Sequence, residues 1–165
     1  MKKEKRLTSI LLVIYLVLLT WIILFKMATS MDGIPHLRGV NLIPFGDSLI
    51  TNDRLDTSEL LDNVLAFIPF GLYLGSLMQK QAFWKKLLPI VLVSIGYEVI
   101  QYIFSIGASD ITDVIDNTLG GLIGILLYLV LKKLFRQKAE GILNGICTVA
   151  TILGIAFIGV LLAAN

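Results

Sequence analysis

The sequence predicts an all-α fold, a polytopic membrane bundle of about five spanning helices, with the N-terminus inside and the C-terminus outside. Three observations carry that prediction. Hydrophobic residues make up 56% of the 165-residue chain and charged residues only 16%, against roughly 25% charged residues in ordinary soluble domains. The apolar residues fall into runs at about 7–27, 60–79, 87–106, 112–131 and 142–162, each near the ~20 residues that cross ~30 Å of hydrocarbon as a helix. The basic residues alternate in the connections between those runs. One side collects Lys2, Lys3, Lys5, Arg6, Lys80, Lys85, Lys86, Lys132, Lys133, Arg136 and Lys138, leaving Lys26, Arg38 and Arg54 for the other. The positive-inside rule makes the first side cytoplasmic.

Each run has its own justification. The first follows a basic stretch and imitates a signal peptide, but its apolar part is longer than a signal core and no small-x-small site follows, so it reads as an uncleaved span. The second contains Asp62, Asn63 and Pro69. Proline lacks an N–H, so the carbonyl of Leu65 loses its usual partner and a kink is expected near mid-membrane. The third and fourth are joined by a few residues and are expected to form an antiparallel hairpin of direct neighbours. Small-xxx-small pairs at Gly71 and Gly75, Gly120 and Gly124, and Gly141 and Gly145 suit close helix packing. Together the runs leave no room for a separate soluble domain, so residues 1–165 read as one transmembrane domain. Cys147, the single cysteine, excludes an intramolecular disulfide and reads as a small buried residue. A net charge of +2 gives no ground for a nucleic-acid partner.

The first outer connection, about 28–59, is long, and its apolar stretch Val40-Asn-Leu-Ile-Pro-Phe45 suits a segment lying on or dipping into the outer leaflet. Arg38 precedes it, placed for bidentate contact with a phosphate or an acidic neighbour.

The functional signal is a set of polar residues inside the outer half of the spans: Asn63, Glu98, Gln101, Asp113, Asp116 and Asn117. A carboxylate at the bilayer centre costs about 2.5–3.5 kcal/mol on insertion scales, so such residues face a bundle interior, a partner or a watery cavity. At about 1.5 Å of rise per residue, Glu98 lies about 12 Å and Gln101 about 7 Å below the outer end of the third span. Asn117 is then expected level with Gln101, and Gly120 with Glu98. Ser94, Glu98, Gln101 and Ser105 share a helix face, and Asp113, Asn117, Gly120 and Gly124 repeat the spacing. The two stripes are expected to form one interface.

Four motifs in order carry a family resemblance: Arg38-Gly-Val-Asn41-Leu-Ile-Pro44-Phe45, Asn63-Val-Leu-Ala-Phe67-Ile-Pro69-Phe70-Gly71, Glu98-x-x-Gln101, and Asp110-Ile-Thr-Asp113-Val-Ile-Asp116-Asn117-Thr-Leu-Gly120-Gly121. Over about 38–124 the chain resembles the VanZ-like family. That resemblance implies a bacterial plasma-membrane protein connected with the envelope and with resistance to teicoplanin, a lipid-tailed glycopeptide acting at the outer face. It implies no settled chemistry. Many relatives place an arginine shortly before the Asp-x-x-Asp motif, where this chain has Ser105-Ile-Gly-Ala-Ser109. Arg38 or Arg54 is the available substitute.

The site expected on these grounds comprises Arg38, Asn41, Asn63, Glu98, Gln101, Asp110, Asp113, Asp116 and Asn117. No metal and no cofactor are expected: His36 is the sole histidine, and the Asp110, Asp113 and Asp116 carboxylates lack a recognised calcium loop. Capping of the fourth helix by Asp110, with Asp113 near its positive end, accounts for part of the cluster without invoking function. Three classes follow. The first binds a lipid or amphipathic ligand, with membrane lipids and a lipoglycopeptide or cell-wall precursor as partners. The second is a small transporter or flippase in which Glu98 carries a proton. The third, an enzyme using Glu98 and Asp113 as acid and base, is the least supported, since no nucleophile or phosphate motif accompanies the carboxylates.

Overall fold

A computed structural model of the chain describes residues 2–25, 37–45, 50–51, 54–55 and 58–163. The helices are α1 (Lys2–Phe25), α2 (Ser58–Leu77), α3 (Phe83–Phe104), α4 (Ile111–Phe135) and α5 (Ala139–Ala163). Among the described residues, four stretches are long and apolar enough to cross a membrane. The last, Ile111–Val160, contains 50 residues, or about 75 Å of helix. That is far more than one bilayer thickness, and the 3₁₀ turn Arg136–Lys138 divides it into α4 and α5.

Side-chain contacts give the helix directions. Thr20 meets the Tyr97 hydroxyl at 3.0 Å and Gln101 donates to the Ile23 carbonyl at 3.3 Å, so α1 and α3 run the same way. Asn63 meets Asp113, and further along Gly75 faces Tyr128, so α2 and α4 are parallel too. Leu11 packs with Tyr73, and Tyr15 bonds the Ala66 carbonyl, which sets α2 against α1. Thr8 bonds Asn144 while Tyr15 packs near Cys147, aligning α5 with α1. The helices therefore alternate in direction. At one end of the bundle, the mouth end, α1 and α3 stop and α2 and α4 begin; Lys3, Lys5, Arg6, Lys80, Lys85, Lys86, Lys132, Lys133, Arg136 and Lys138 lie at the opposite end.

The core has two parts. Leu19, Phe67, Phe70, Ile90, Tyr97 and Ile125 fill the middle, with Phe67 edge-on to Tyr97. Leu11, Tyr73, Tyr128, Leu143 and Cys147 fill the basic end. Large apolar side chains are exposed along every helix, Val13, Leu65, Leu92, Val130 and Ile152 among them. An apolar exterior on this scale belongs in lipid, and the chain is a membrane protein.

Pro69 lies inside α2, which runs on through it. The Tyr15 hydroxyl donates to the carbonyl of Ala66, next to the Leu65 carbonyl that Pro69 cannot serve.

Two small strand pairs depart from the purely helical expectation. β1 (Leu37–Asn41) pairs in parallel with β4 (Ile106–Asp110), from Leu37 opposite Ile106 to Asn41 opposite Asp110. β2 (Ile50–Thr51) and β3 (Arg54–Leu55) form a short antiparallel pair. The connection between α3 and α4 is therefore not a simple outer turn. Ser105 ends α3 in the left-handed conformation, φ 55° and ψ 37°, and β4 runs back beside α3 until Ser109 and Asp110 reach Glu98.

Two further expectations change. The Gly120/Gly124 face packs on α2, where an added Cβ would strike the carbonyls of Val64 and Ile68; of the two expected stripes only Asn117 and Ser94 meet by a side-chain hydrogen bond, and Gly121 packs against Ile90 of α3. Helix spacing defines a face, and α2 takes this one because Gly71 lets two backbones touch. Around Gly141 and Gly145 there is open space within 4 Å. α5 docks instead through Leu143, Asn144 and Cys147, which are buried.

Candidate functional site

The returning strand sets the depth of the site. Glu98 accepts the backbone N–H of Asp110 at 2.8 Å through Oε2, and Ser109 Oγ donates to the Glu98 carbonyl at 2.7 Å. α4 thus begins level with Glu98, about 10 Å below the end of α3. Asn117 is correspondingly deeper than expected: its Nδ2 donates to Ser94 Oγ at 2.9 Å, well below Gln101. Glu98 also gains a structural explanation, since its carboxylate takes a backbone N–H at the positive end of α4.

Asp110 is the N-cap of α4. Its Oδ1 accepts from the Thr112 N–H at 2.7 Å while Oδ2 accepts from Asn41 Nδ2 at 3.0 Å. Asn41 Oδ1 receives the Ile43 N–H at 3.0 Å, and Thr112 Oγ1 the Phe45 N–H at 3.1 Å. An isolated two-stranded parallel pair is intrinsically weak, and these side-chain bonds brace it on α3 and α4. The apolar stretch from Val40 to Phe45 is consequently a strand end and a tight turn pinned to the first turn of α4. Leu42 and Ile43 are exposed beyond it.

The expected site residues divide into separate neighbourhoods. Asn41, Glu98 and Asp110 line a cavity of about 400 Å³ with apolar walls from Val40, Leu42, Ile95, Val99 and Tyr102. These walls are exposed on the bundle surface, so the cavity is a lateral groove. Asn63, Gln101 and Asp113 line a second cavity, and Asn63 Nδ2 donates to Asp113 Oδ1 at 2.9 Å. Glu98 and Gln101, one turn apart, thus open to different spaces. Asp116 is 4% exposed, lines neither cavity and has Oδ2 without a hydrogen-bond partner. Asn117 is fully buried on Ser94.

Arg38 stands opposite Gly107, its backbone beside the Ser105–Ser109 segment. Its side chain, that of Arg54, and His36 lie outside the described residues. Asp110, Asp113 and Asp116 do not converge, and among the described residues no group of three or more His, Cys, Asp or Glu side chains is placed to hold a metal ion.

A second polar network went unread in the sequence. At the basic end Asn144 Nδ2 donates to Glu4 Oε2 at 2.9 Å, Thr8 Oγ1 donates to Asn144 Oδ1 at 2.8 Å, and Gln79 Nε2 donates to Glu140 Oε1 at 2.6 Å. It ties α1 and α2 to α5. Asn144, a lone amide in an apolar run, was the signal that pointed to it.

The family model described as VanZ/LLP1 matches residues 12–132, from α1 to the last turns of α4. The chain is similar to Protein VanZ of Enterococcus faecium, 43% identical over 130 residues that cover 78% of this chain and 77% of the relative. No solved structure matches it. The matched span contains both cavities and the parallel strand pair that borders the first, and the chain belongs to the VanZ/LLP1 family.

Proposed function

We propose that the chain is a multi-pass protein of the bacterial plasma membrane, its N-terminus cytoplasmic, that contributes to envelope-associated or lipoglycopeptide (teicoplanin) resistance by holding a lipid or other amphipathic molecule at its outward end. The lateral groove carries this reading. Its apolar walls, from Val40, Ile95, Val99 and Tyr102, suit a hydrocarbon tail, while Asn41, Glu98 and Asp110 border it with their polar groups bonded within the fold. At about 400 Å³ it falls in the lower part of the ~300–1,000 Å³ range of ligand pockets. The basic residues at the opposite end support the outward orientation by the positive-inside rule.

The test expresses the wild type, Glu98→Gln and Val99→Trp in a teicoplanin-susceptible Gram-positive host at matched protein levels, with envelope lipids profiled alongside. The wild type should lower susceptibility, and Val99→Trp, which fills the groove from an exposed position, should lose most of that protection. Unchanged protection by both variants overturns the reading. A redistribution of unchanged lipid lost in both variants replaces holding by transport, and a new lipid species lost in both replaces it by chemistry.

A further inference from the structure

Lys86, at the basic end of the bundle, is 5% exposed and is the only buried basic side chain among the described residues. A lysine is almost never buried without a partner. This one makes no hydrogen bond and no ion pair among the described residues. Glu4 and Glu140, the acids of that end, are engaged elsewhere: Glu4 accepts from Asn144 at 2.9 Å and Glu140 from Gln79 at 2.6 Å. The Lys86 ammonium is nevertheless not sealed from the surface, as the hydroxyls of Ser76 and Tyr128 are. A packed stem thus carries a charge that remains reachable, with three donors and too little exposed surface for water to serve them all.

The helix that carries Lys86 begins without a cap. Ala82 holds the N-cap position with no side-chain hydrogen bond, and the first turn of α3 contains no acidic residue. The leading N–H groups of a helix have no partner within it, and the helix dipole makes that end positive. Lys86 is the fourth residue of α3, and side chains on a helix lean back toward its N-terminus. The buried lysine and the orphan N–H groups therefore converge on one small region. Lys85 adds a second cation beside it, its Nζ 5.5 Å from the centre of the Trp84 ring. From Gln79 to Pro89 the chain carries Lys80, Lys85 and Lys86 and no acid. The positive charge gathered here has no local counterpart.

We propose that the start of α3 is a binding site for a phosphate-bearing anion, carried by the headgroup of an anionic phospholipid or by a free phosphate ester. Phosphate oxygens are strong acceptors for an ammonium donor, and an uncapped helix N-terminus offers them backbone N–H groups as well. The surroundings favour the lipid source. Phe83 and Trp84 are exposed, the aromatic pair expected at headgroup level. Trp84, Leu88 and Leu92, spaced i, i+4 and i+8, are exposed on one face of α3 and give acyl chains an apolar track away from the phosphate. A headgroup with its own ammonium is disfavoured by the three lysines. The groove lies at the other end of the bundle, so the two sites are independently testable.

The experiment uses the full chain in dodecyl maltoside micelles and follows Tm on titration with dioctanoyl-phosphatidylglycerol, dioctanoyl-phosphatidylcholine or glycerol phosphate. A saturable rise is expected with phosphatidylglycerol or with glycerol phosphate, and the more effective of the two identifies the source. Phosphatidylcholine has the same chains and a phosphate but no net charge, and should act at least about tenfold more weakly. Lys86→Met keeps a packed apolar stem and removes an unpaired buried charge, so the fold survives it. It should weaken the response about tenfold, the loss that follows from one missing charge-assisted hydrogen bond. Lys133→Gln removes an exposed cation from the same end and should change the response less than about twofold, which separates a built site from general attraction to a basic surface. An equal response to phosphatidylcholine, an unchanged response in Lys86→Met, equal losses in Lys86→Met and Lys133→Gln, or no saturable response to either anion overturns the proposal.

Discussion

Glu98 illustrates how a costly residue inside a span can be held by the fold itself. Its carboxylate holds the Asp110 N–H at 2.8 Å and also lines the groove. The two roles separate by substitution. Glu98→Gln keeps an oxygen for the Asp110 N–H and is expected to change stability by less than about 1 kcal/mol, whereas Glu98→Leu leaves that N–H without its acceptor and should cost about 1–3 kcal/mol. Thermal unfolding in detergent distinguishes them, and equal Tm values would show that this hydrogen bond does not stabilise the fold. The sequence marked Glu98 because a carboxylate in a span is conspicuous. Its partner was illegible, because Asp110 reaches it only through the chain reversal at Ser105, where a serine adopts φ 55°. The deeper level of Asn117 follows from the same reversal.

At the scale of elements, α2 and α4 make the tightest contact in the bundle. A methyl group on Gly124 would meet the Ile68 carbonyl and the Gly71 Cα, neither of which can rotate away as a side chain would. Gly124→Ala is therefore expected to destabilise by about 1–3 kcal/mol through forced separation of the helices, while Gly141→Ala, with open space around it, should stay within about 0.5 kcal/mol of wild type. Thermal unfolding of the two variants side by side checks the contrast. Both glycines belong to the same kind of sequence pattern, which is why the pattern could not tell them apart. Spacing shows that small residues share a face; the neighbour that takes the face depends on every other helix. The network at the basic end was illegible for a related reason, since Glu4 and Glu140 lie at helix ends in the sequence and only the packing of Asn144 and Gln79 brings them into the bundle.

For the whole molecule, the alternation of the helices and the gathering of basic residues at one end lead to a topology that chemistry can test. Cysteine substituted at the exposed Lys138 should resist a membrane-impermeant maleimide in intact cells, and cysteine at the exposed Ser58 should react. Native Cys147 is buried and adds little background. The opposite pattern would invert the protein and turn both cavities inward. The helical plan was legible because apolar runs of spanning length leave few alternatives. The parallel strands were not: each is only five residues long, and the partners are separated by two entire helices. A local pattern of that length carries no instruction about so distant a match.

That separation has a consequence for biogenesis. β1 emerges from the ribosome well before β4, and between them α2 and α3 must both be threaded into the bilayer. Until then, Leu37–Asn41 has no ladder partner and Asn41 has no Asp110 to hold. The rim of the groove is thus closed late, after its walls have been inserted. A nascent chain caught between those events carries a membrane anchor but lacks a finished rim, so the order of synthesis itself delays completion of the groove until the bundle exists.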